Sequence, residues 1–345
     1  MHVTLIVPAP FSTISGGYGY DRRIVAEMRS LGLDVAVTEL PGSHPVTDRF
    51  AHDAACAALD RLTPGTKAVI DGLALPAFAG LDDAIASIGA IGLIHHPTSL
   101  ESGLESTVQD QLRETEQRLF RRLRCAIVTS ALTGETLAKD FGIRTDRITV
   151  VNPGTDDAPR AAGSSSQTCE VLSIGTIIPR KGHDLLLRAI ARLFDLDWRL
   201  TIVGSETTDP ACAAALHALA DELGIANRVR FMGSMVGEPL EALWHAADIF
   251  ALATRYEGYG MVIAEALKRG LPVVVTKGGA AGELLTPDAG LACPVDDRDQ
   301  LSKSLRRVIY GTDLRREIAD EAWKLGQTLP TWAHQATLFV QALQS

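Results

Sequence analysis

Short runs of β-branched and aliphatic residues recur along this chain, and longer stretches with the apolar spacing of an amphipathic helix lie between them. That alternation constrains the fold more than any other feature. Strands separated by helices pair in parallel, and the helices cover both faces of the sheet. In the first part of the chain Val3–Val7, Val35–Glu39, Lys67–Ile70, Ile91–Ile94 and Ala126–Thr129 read as strands. Gly17–Leu31, Thr47–Leu62, Glu105–Arg122 and Leu132–Phe141 read as the helices between them.

The stretch Ala158–Gln167, with its Ala, Gly and Ser, reads as a linker, and after it the alternation restarts. Glu170–Gly175, Trp198–Val203, Val229–Phe231, Ile249–Leu252 and Val273–Thr276 read as strands. His183–Phe194, Ala211–Leu223, Leu240–Ala247, Met261–Arg269, Gln300–Tyr310 and Leu314–Leu325 read as helices. A last amphipathic stretch after Pro330 carries Trp332, Ala336, Phe339 and Leu343 on one stripe. The expectation is α/β: two Rossmann-like parallel-sheet domains facing a cleft. One spans residues 1–157 and is completed by a helix over 328–345; the other spans 158–327.

Composition excludes several classes. The 345 residues carry 33 Lys and Arg against 42 Asp and Glu, a net charge of −9, the wrong sign for a non-specific nucleic-acid binder. No apolar run approaches the roughly 18 residues of a membrane span. The longest, Ala84–Ile94, is broken by Ser87, Gly89 and Gly92. Arg113, Arg118, Arg121, Arg122 and Arg124 cluster along one helical stretch. Residues 1–157 nonetheless hold 14 Lys and Arg against 20 Asp and Glu, so membrane association is not supported by charge and the arginines read as a solvated helix face. The N-terminus reads as a first strand rather than a signal peptide. The five scattered cysteines fit reduced thiols of a cytoplasmic protein.

In open α/β sheets ligands sit beyond the C-terminal strand ends, so those loops carry the chemistry. The first strand leads into Gly16-Gly17-Tyr18-Gly19, a turn able to cradle an anion or admit a ligand to the backbone. A dinucleotide fingerprint fails there, because Arg22 stands at the third glycine position and the loop is too long. The fourth strand ends in His95-His96. Adjacent strand residues face opposite ways, so one of the two faces the cleft, and periodicity does not choose which.

In the second half, Gly175 is followed by Pro179-Arg180-Lys181-Gly182-His183, whose adjacent planar and point cations suit a diphosphate. Arg255-Tyr256-Glu257-Gly258-Tyr259-Gly260-Met261 leads into a helix containing Glu265. Its glycines free backbone amides at a helix start, which favours an anion. Glu257 and Glu265 are not a retaining-glycosidase pair. Such carboxyls stand about 5 Å apart, whereas eight residues of near-helical chain span roughly 12 Å. They contact different parts of one ligand, and carboxylates accept well from sugar hydroxyls. Gly278-Gly279, before Glu283, forms another strand-end glycine loop.

Taken together these residues resemble the retaining nucleotide-sugar glycosyltransferases of family 4, which have the GT-B fold. The likeness rests on E-G-Y-G-M-V-I-A-E from Glu257 to Glu265 and on P-R-K-G-H-D-L-L-L from Pro179 to Leu187. Gly16-Gly17, His95, Val151-Asn152-Pro153-Gly154 and Gly278-Gly279 support it. The resemblance implies a hexosyltransferase with a UDP- or GDP-linked sugar as donor substrate, an acceptor hydroxyl of unknown identity, retained anomeric configuration, and no cofactor or metal. By that resemblance Lys181 binds the donor diphosphate, Glu265 the ribose hydroxyls, Glu257 the donor sugar ring, and Gly175 with Gly258, Tyr259, Gly260, Met261 and Val262 the sugar and phosphate. His95 lies near the donor sugar, and Gly16 and Gly17 shape the acceptor side. Thr176 departs from the arginine common there, so Arg180 is expected to supply the missing cation. Closure of the domains about the Ala158–Gln167 linker, together with the crossing around Gln327–Pro330, is expected during turnover. The alternatives are a GT-B nucleotide-sugar epimerase and a catalytically silent nucleotide-sugar-binding protein.

Overall fold

A computed structural model describes residues 1–101 and 103–344. The chain divides into two compact units: Met1–Gly154 with Pro330–Ser345, and Thr155–Leu329.

The first unit runs β1 (His2–Pro8), α1 (Gly16–Ser30), β2 (Asp34–Leu40), α2 (Arg49–Asp60), β3 (Lys67–Asp71), α3 (Asp82–Ser87), β4 (Ile91–Ile94), α4 (Ser106–Arg122), β5 (Cys125–Val128), α5 (Ala131–Phe141) and β6 (Ile148–Val150). The strands form one parallel sheet in the order β2-β1-β3-β4-β5-β6. The order reverses at β1 and β3, which opens a crevice beyond their C-terminal ends. Asp48 caps α2 through the Ala51 amide at 2.9 Å, and Ser130 caps α5 through that of Thr133 at 3.1 Å. A buried core of Ile6, Ile70, Phe78, Ile94, Phe120 and Phe141 packs one face.

The second unit runs β7 (Cys169–Ile174), α6 (His183–Ile190), β8 (Trp198–Val203), α7 (Pro210–Glu222), β9 (Val229–Phe231), α8 (Glu238–Ala246), β10 (Ile249–Leu252), α9 (Met261–Lys268), β11 (Val273–Thr276), β12 (Gly290–Cys293), α10 (Arg298–Tyr310) and α11 (Thr312–Gln327). Its parallel sheet has the order β12-β11-β10-β7-β8-β9, so the reversal lies at β7 and β10. One core, including Trp198, Leu186 and Leu305, packs one face of the sheet, and another, including Trp244, Phe250 and Leu267, packs the other. The closing helix α12 (Trp332–Gln344) belongs to the first unit, where the Trp332 ring meets Tyr20 of α1 edge-on at 5.7 Å. Ser345, the end of the expected final helix, lies outside the described residues.

Three elements escaped the sequence reading. Edge strand β6 is three residues long, β12 reads Gly-Leu-Ala-Cys without a β-branched residue, and α3 is a six-residue helix. The Ala158–Gln167 stretch is not a free linker. The Ala161 amide donates to Arg269 O at 2.9 Å, those of Ala162 and Gly163 to His245 O, and that of Ser164 to the Asp248 carboxylate. Arg160 pairs with Asp320. The stretch is therefore stitched to the second unit, and the chain changes units at Gly154–Thr155 and Leu329–Pro330 rather than at 157–158 and 327–328. Among the described residues no helix is long and apolar enough to cross a membrane. All five cysteines are free.

Candidate functional site

In the second unit the loops after β7 and β10 meet at the strand-order reversal. The β7 loop folds into a turn over Pro179–Lys181, and Gly182 follows at φ +64°. Any Cβ at Gly182 would lie 1.9 Å from Ala253 O, so only glycine lets this loop reach the β10 loop. The Arg255 amide then donates to Arg180 O at 2.7 Å, and the Arg180 guanidinium donates to Tyr256 O at 2.8 Å. Arg255 grips both loops: its guanidinium donates to Pro179 O, to both oxygens of Asp184 at 3.0 and 2.9 Å, and to Asp296 at 2.8 Å.

This scaffold sets Lys181 Nζ 2.7 Å from Glu257 Oε1, with the two side chains 13% and 9% exposed. Burial alone would raise the Glu257 acid. The Lys181 and Arg180 charges outweigh it and hold the acid below the ordinary carboxylate range. Glu257 is fixed by its backbone too: its amide donates to Gly278 O, and its carbonyl accepts from Ala280 at 2.8 Å. The Gly278-Gly279 loop, singled out in the sequence, thus acts as a brace for Glu257.

Gly260, at φ +101°, caps α9. The Ile263 and Ala264 amides bond to Gly260 O, which leaves those of Met261 and Val262 without an acceptor inside the helix. Gly258, Tyr259 and Gly260 form the turn ahead of them. On α9, burial raises the Glu265 acid to about 7, partly opposed by Arg269. The Arg269 guanidinium itself is held by both oxygens of Glu241 at 2.7 Å. Among the described residues no side chain hydrogen-bonds the Glu265 carboxylate. Gly175 stands where a Cβ would press on the Lys181 stem at 3.2 Å.

The first unit positions the remaining residues of the sequence reading. Gly16 and Gly17 open α1, and a Cβ on Gly17 would meet the His95 ring at 3.3 Å. His95 lies just past β4, its carbonyl accepting from the Thr129 and Thr133 hydroxyls. Its Nε2 is 3.0 Å from Asp21 and 3.4 Å from Asp71. His96 turns away and pairs with Glu101 at 2.8 Å. Asp21 and Asp71 carried no role in the sequence reading, since their closeness to His95 exists only once β1, β3 and β4 pair. The arginines of α4 are engaged locally: Arg118 with Asp82, Arg122 with Asp83, and Arg113 over the Phe141 ring at 5.2 Å.

Two parallel-sheet units, each with a strand-order reversal, define the GT-B glycosyltransferase architecture. Sucrose-phosphate synthase from Thermosynechococcus elongatus superposes with a TM-score of 0.83 at 19% identity, covering 100% of this chain and 98% of that one. Anabaena HepE in complex with UDP-glucose superposes with a TM-score of 0.79 at 18% identity over 100% of both chains. Residues 155–325 match the model of the family described as glycosyl transferases group 1. D-inositol 3-phosphate glycosyltransferase from Corynebacterium aurimucosum is 28% identical over 253 residues, 68% of this chain and 60% of the relative. Mannosylfructose-phosphate synthase from Agrobacterium fabrum is 29% identical over 195 residues, 51% of this chain and 42% of the relative. The matched region thus spans about 60% or less of the length of these curated relatives.

Proposed function

We propose that this chain is a retaining glycosyltransferase that moves a sugar from a nucleoside diphosphate donor, UDP- or GDP-linked, to an acceptor hydroxyl. The observation that carries this reading is the Lys181–Glu257 pair at the β7/β10 reversal, together with the α9 start and, on α9, a Glu265 carboxylate that no side chain among the described residues hydrogen-bonds. An ammonium has three donors and Glu257 uses one, so Lys181 keeps others for a diphosphate. Glu265 offers acceptors to ribose hydroxyls, and Glu257 offers its second oxygen to the sugar ring. The presence of UDP and UDP-glucose in the HepE complexes supports this class of donor.

In the proposed reaction the bond from the anomeric carbon to the phosphate oxygen breaks as the acceptor oxygen bonds to that carbon on the same face. The acceptor proton passes to the departing phosphate oxygen. The protein's contribution is electrostatic: Lys181, Arg180 and the α9 amides stabilise charge growing on the diphosphate. These cations replace a divalent metal, so activity survives a strong chelator.

The test is a thermal-shift screen of nucleoside diphosphate sugars. A ligand at 100 times its dissociation constant adds about 2.7 kcal/mol of stability. Stabilisation by a UDP- or GDP-sugar that Glu265→Gln removes supports the reading. Indifference of the native chain to every nucleotide sugar rejects it.

A further inference from the structure

Asp21, Asp71 and His95 form a cluster in the first unit that the proposed reaction does not use. Both carboxylates are buried, at 1% and 4% exposure, and both reach the same ring nitrogen, Nε2 of His95. Asp71 also accepts from the Leu73 amide at 2.7 Å. Among the described residues the ring is the only side chain that hydrogen-bonds Asp21.

Among the described residues no other cationic side chain hydrogen-bonds either carboxylate. Tyr20 of α1 meets the ring edge-on at 5.3 Å, but its hydroxyl donates to Val151 O. The Tyr18 hydroxyl donates to Pro8 O. Arg22 on α1 favours the Asp21 carboxylate through space, but its guanidinium donates to Phe11 O and Thr13 O at 2.6 and 2.8 Å. From β5 and α5 come only the Thr129 and Thr133 hydroxyls, on the His95 carbonyl. From α12 comes Trp332, packed on Tyr20. Two buried carboxylates facing a neutral ring would be a like-charge pair with only Arg22, acting through space, to offset it. A cationic ring balances one of them and binds both. Burial opposes that cation, yet Asp21 and Asp71 together outweigh it and raise His95 to about 10.

The ring's other nitrogen, Nδ1, has no partner among the described residues, and the side chain is 19% exposed. Gly17 lies against the opposite carbon edge, where a Cβ would crowd Cδ2.

We propose that Asp21 and Asp71 are positioning residues that clamp His95 through Nε2 as an imidazolium, presenting Nδ1–H as a fixed, charged donor to an oxygen of a sugar substrate bound at the strand-order reversal of the first sheet. The ligand's identity rests on the glycosyl-transfer reading; the state of the ring does not. With both nitrogens protonated, His95 has no lone pair with which to act as a base. The acceptor proton must then leave by another route, such as the departing phosphate.

Nitrogen-15 NMR of the histidine-labelled full chain, with no ligand, decides the state of the ring. The expected result is the doubly protonated pattern for His95 at about pH 8, where an ordinary histidine is neutral. Asp21→Asn and Asp71→Asn should each return its titration toward about 6.5. In sugar transfer, Asp71→Asn should lower kcat more than it raises KM, and His95→Gln should recover part of what His95→Ala loses. A neutral His95 in the native chain at about pH 8 overturns the proposal, and so does unchanged titration in both Asn variants. One equivalent of zinc or manganese retained by the native chain and lost on changing Asp21, Asp71 or His95 also overturns it, making the cluster a metal site. If the native chain transfers no sugar, the functional reading fails while the NMR result still decides this one.

Discussion

Lys181 Nζ and Glu257 Oε1 lie 2.7 Å apart although 76 residues separate them in the chain. The pair ties the loop after β7 to the loop after β10 across the strand-order reversal. The sequence reading assigned these residues to different parts of one ligand, the diphosphate and the sugar ring. Their contact makes the two side chains one electrostatic unit.

That pairing changes what Lys181→Ala should do. As a solitary loop cation Lys181 would matter for turnover alone. As partner of a buried carboxylate its removal also leaves charge uncompensated, with Arg180 supplying only part of the balance. The expected stability loss is about 1–3 kcal/mol, with a larger loss of turnover. Glu257→Gln keeps the shape and an acceptor oxygen for Lys181 but removes its countercharge, so it should lower turnover and cost less stability than Lys181→Ala. Equal Tm for Lys181→Ala and the native protein would show that the pair is not formed in solution.

Glu265 predicts a pH dependence of nucleotide binding. Its folded pKa is raised, so the free protein gains from protonating it, and that stability is lost as pH rises from about 4.5 toward about 7. Ribose hydroxyls donate best to the ionised form. UDP or GDP affinity measured by calorimetry should therefore increase as pH passes upward through about 7. Glu265→Gln should flatten the profile and weaken binding by about 1.5–3 kcal/mol, the worth of a charged hydrogen bond. A native profile as flat as the variant's would remove Glu265 from the ribose site.

The parts legible in the sequence were those whose signal is local. Strand runs, the glycines before α9, and the Arg180-Lys181 and Glu257 positions at strand ends can all be found without tertiary contacts. What was missed depends on the sheet. Asp71 lies 24 positions before His95, and Asp21 lies 74 before it; neither has a local pattern that announces the clamp. The Ala158–Gln167 stretch has linker composition, yet Arg269 O and His245 O take up its amides, and composition does not encode partners that distant. Strand β12 gains its extended form by pairing with β11, which its Gly-Leu-Ala-Cys sequence does not signal.

Arg255 offers a test of the loop scaffold. Its planar fork meets both oxygens of Asp184 while also reaching Asp296, a geometry that a lysine cannot reproduce. Arg255→Lys keeps the charge but loses the fork. It should raise KM for the sugar donor several-fold, through looser Lys181 and Glu257 loops, with a smaller effect on kcat. A pure kcat effect would argue that Arg255 contacts the reacting groups instead.

The loop carrying His95 depends on Glu116. This buried carboxylate on α4 accepts from the amide and hydroxyl of Thr98 at 2.6 and 2.8 Å, and from those of Ser99 at 3.1 and 2.6 Å. It thereby pins the turn Thr98–Leu100 that follows His95-His96-Pro97. Glu116→Ala leaves buried donors unmet, each costing about 1–3 kcal/mol, so a total loss of at least about 3 kcal/mol is expected in urea unfolding. Glu116→Gln retains one acceptor oxygen but brings donors toward Thr98 or Ser99, and should fall between the two. The loss should also appear locally, as faster amide exchange at Thr98 and Ser99 in Glu116→Gln while the strands of the first sheet stay protected. Native-like exchange at both amides would show that the turn is held by its backbone alone and that Glu116 has no part in placing His95.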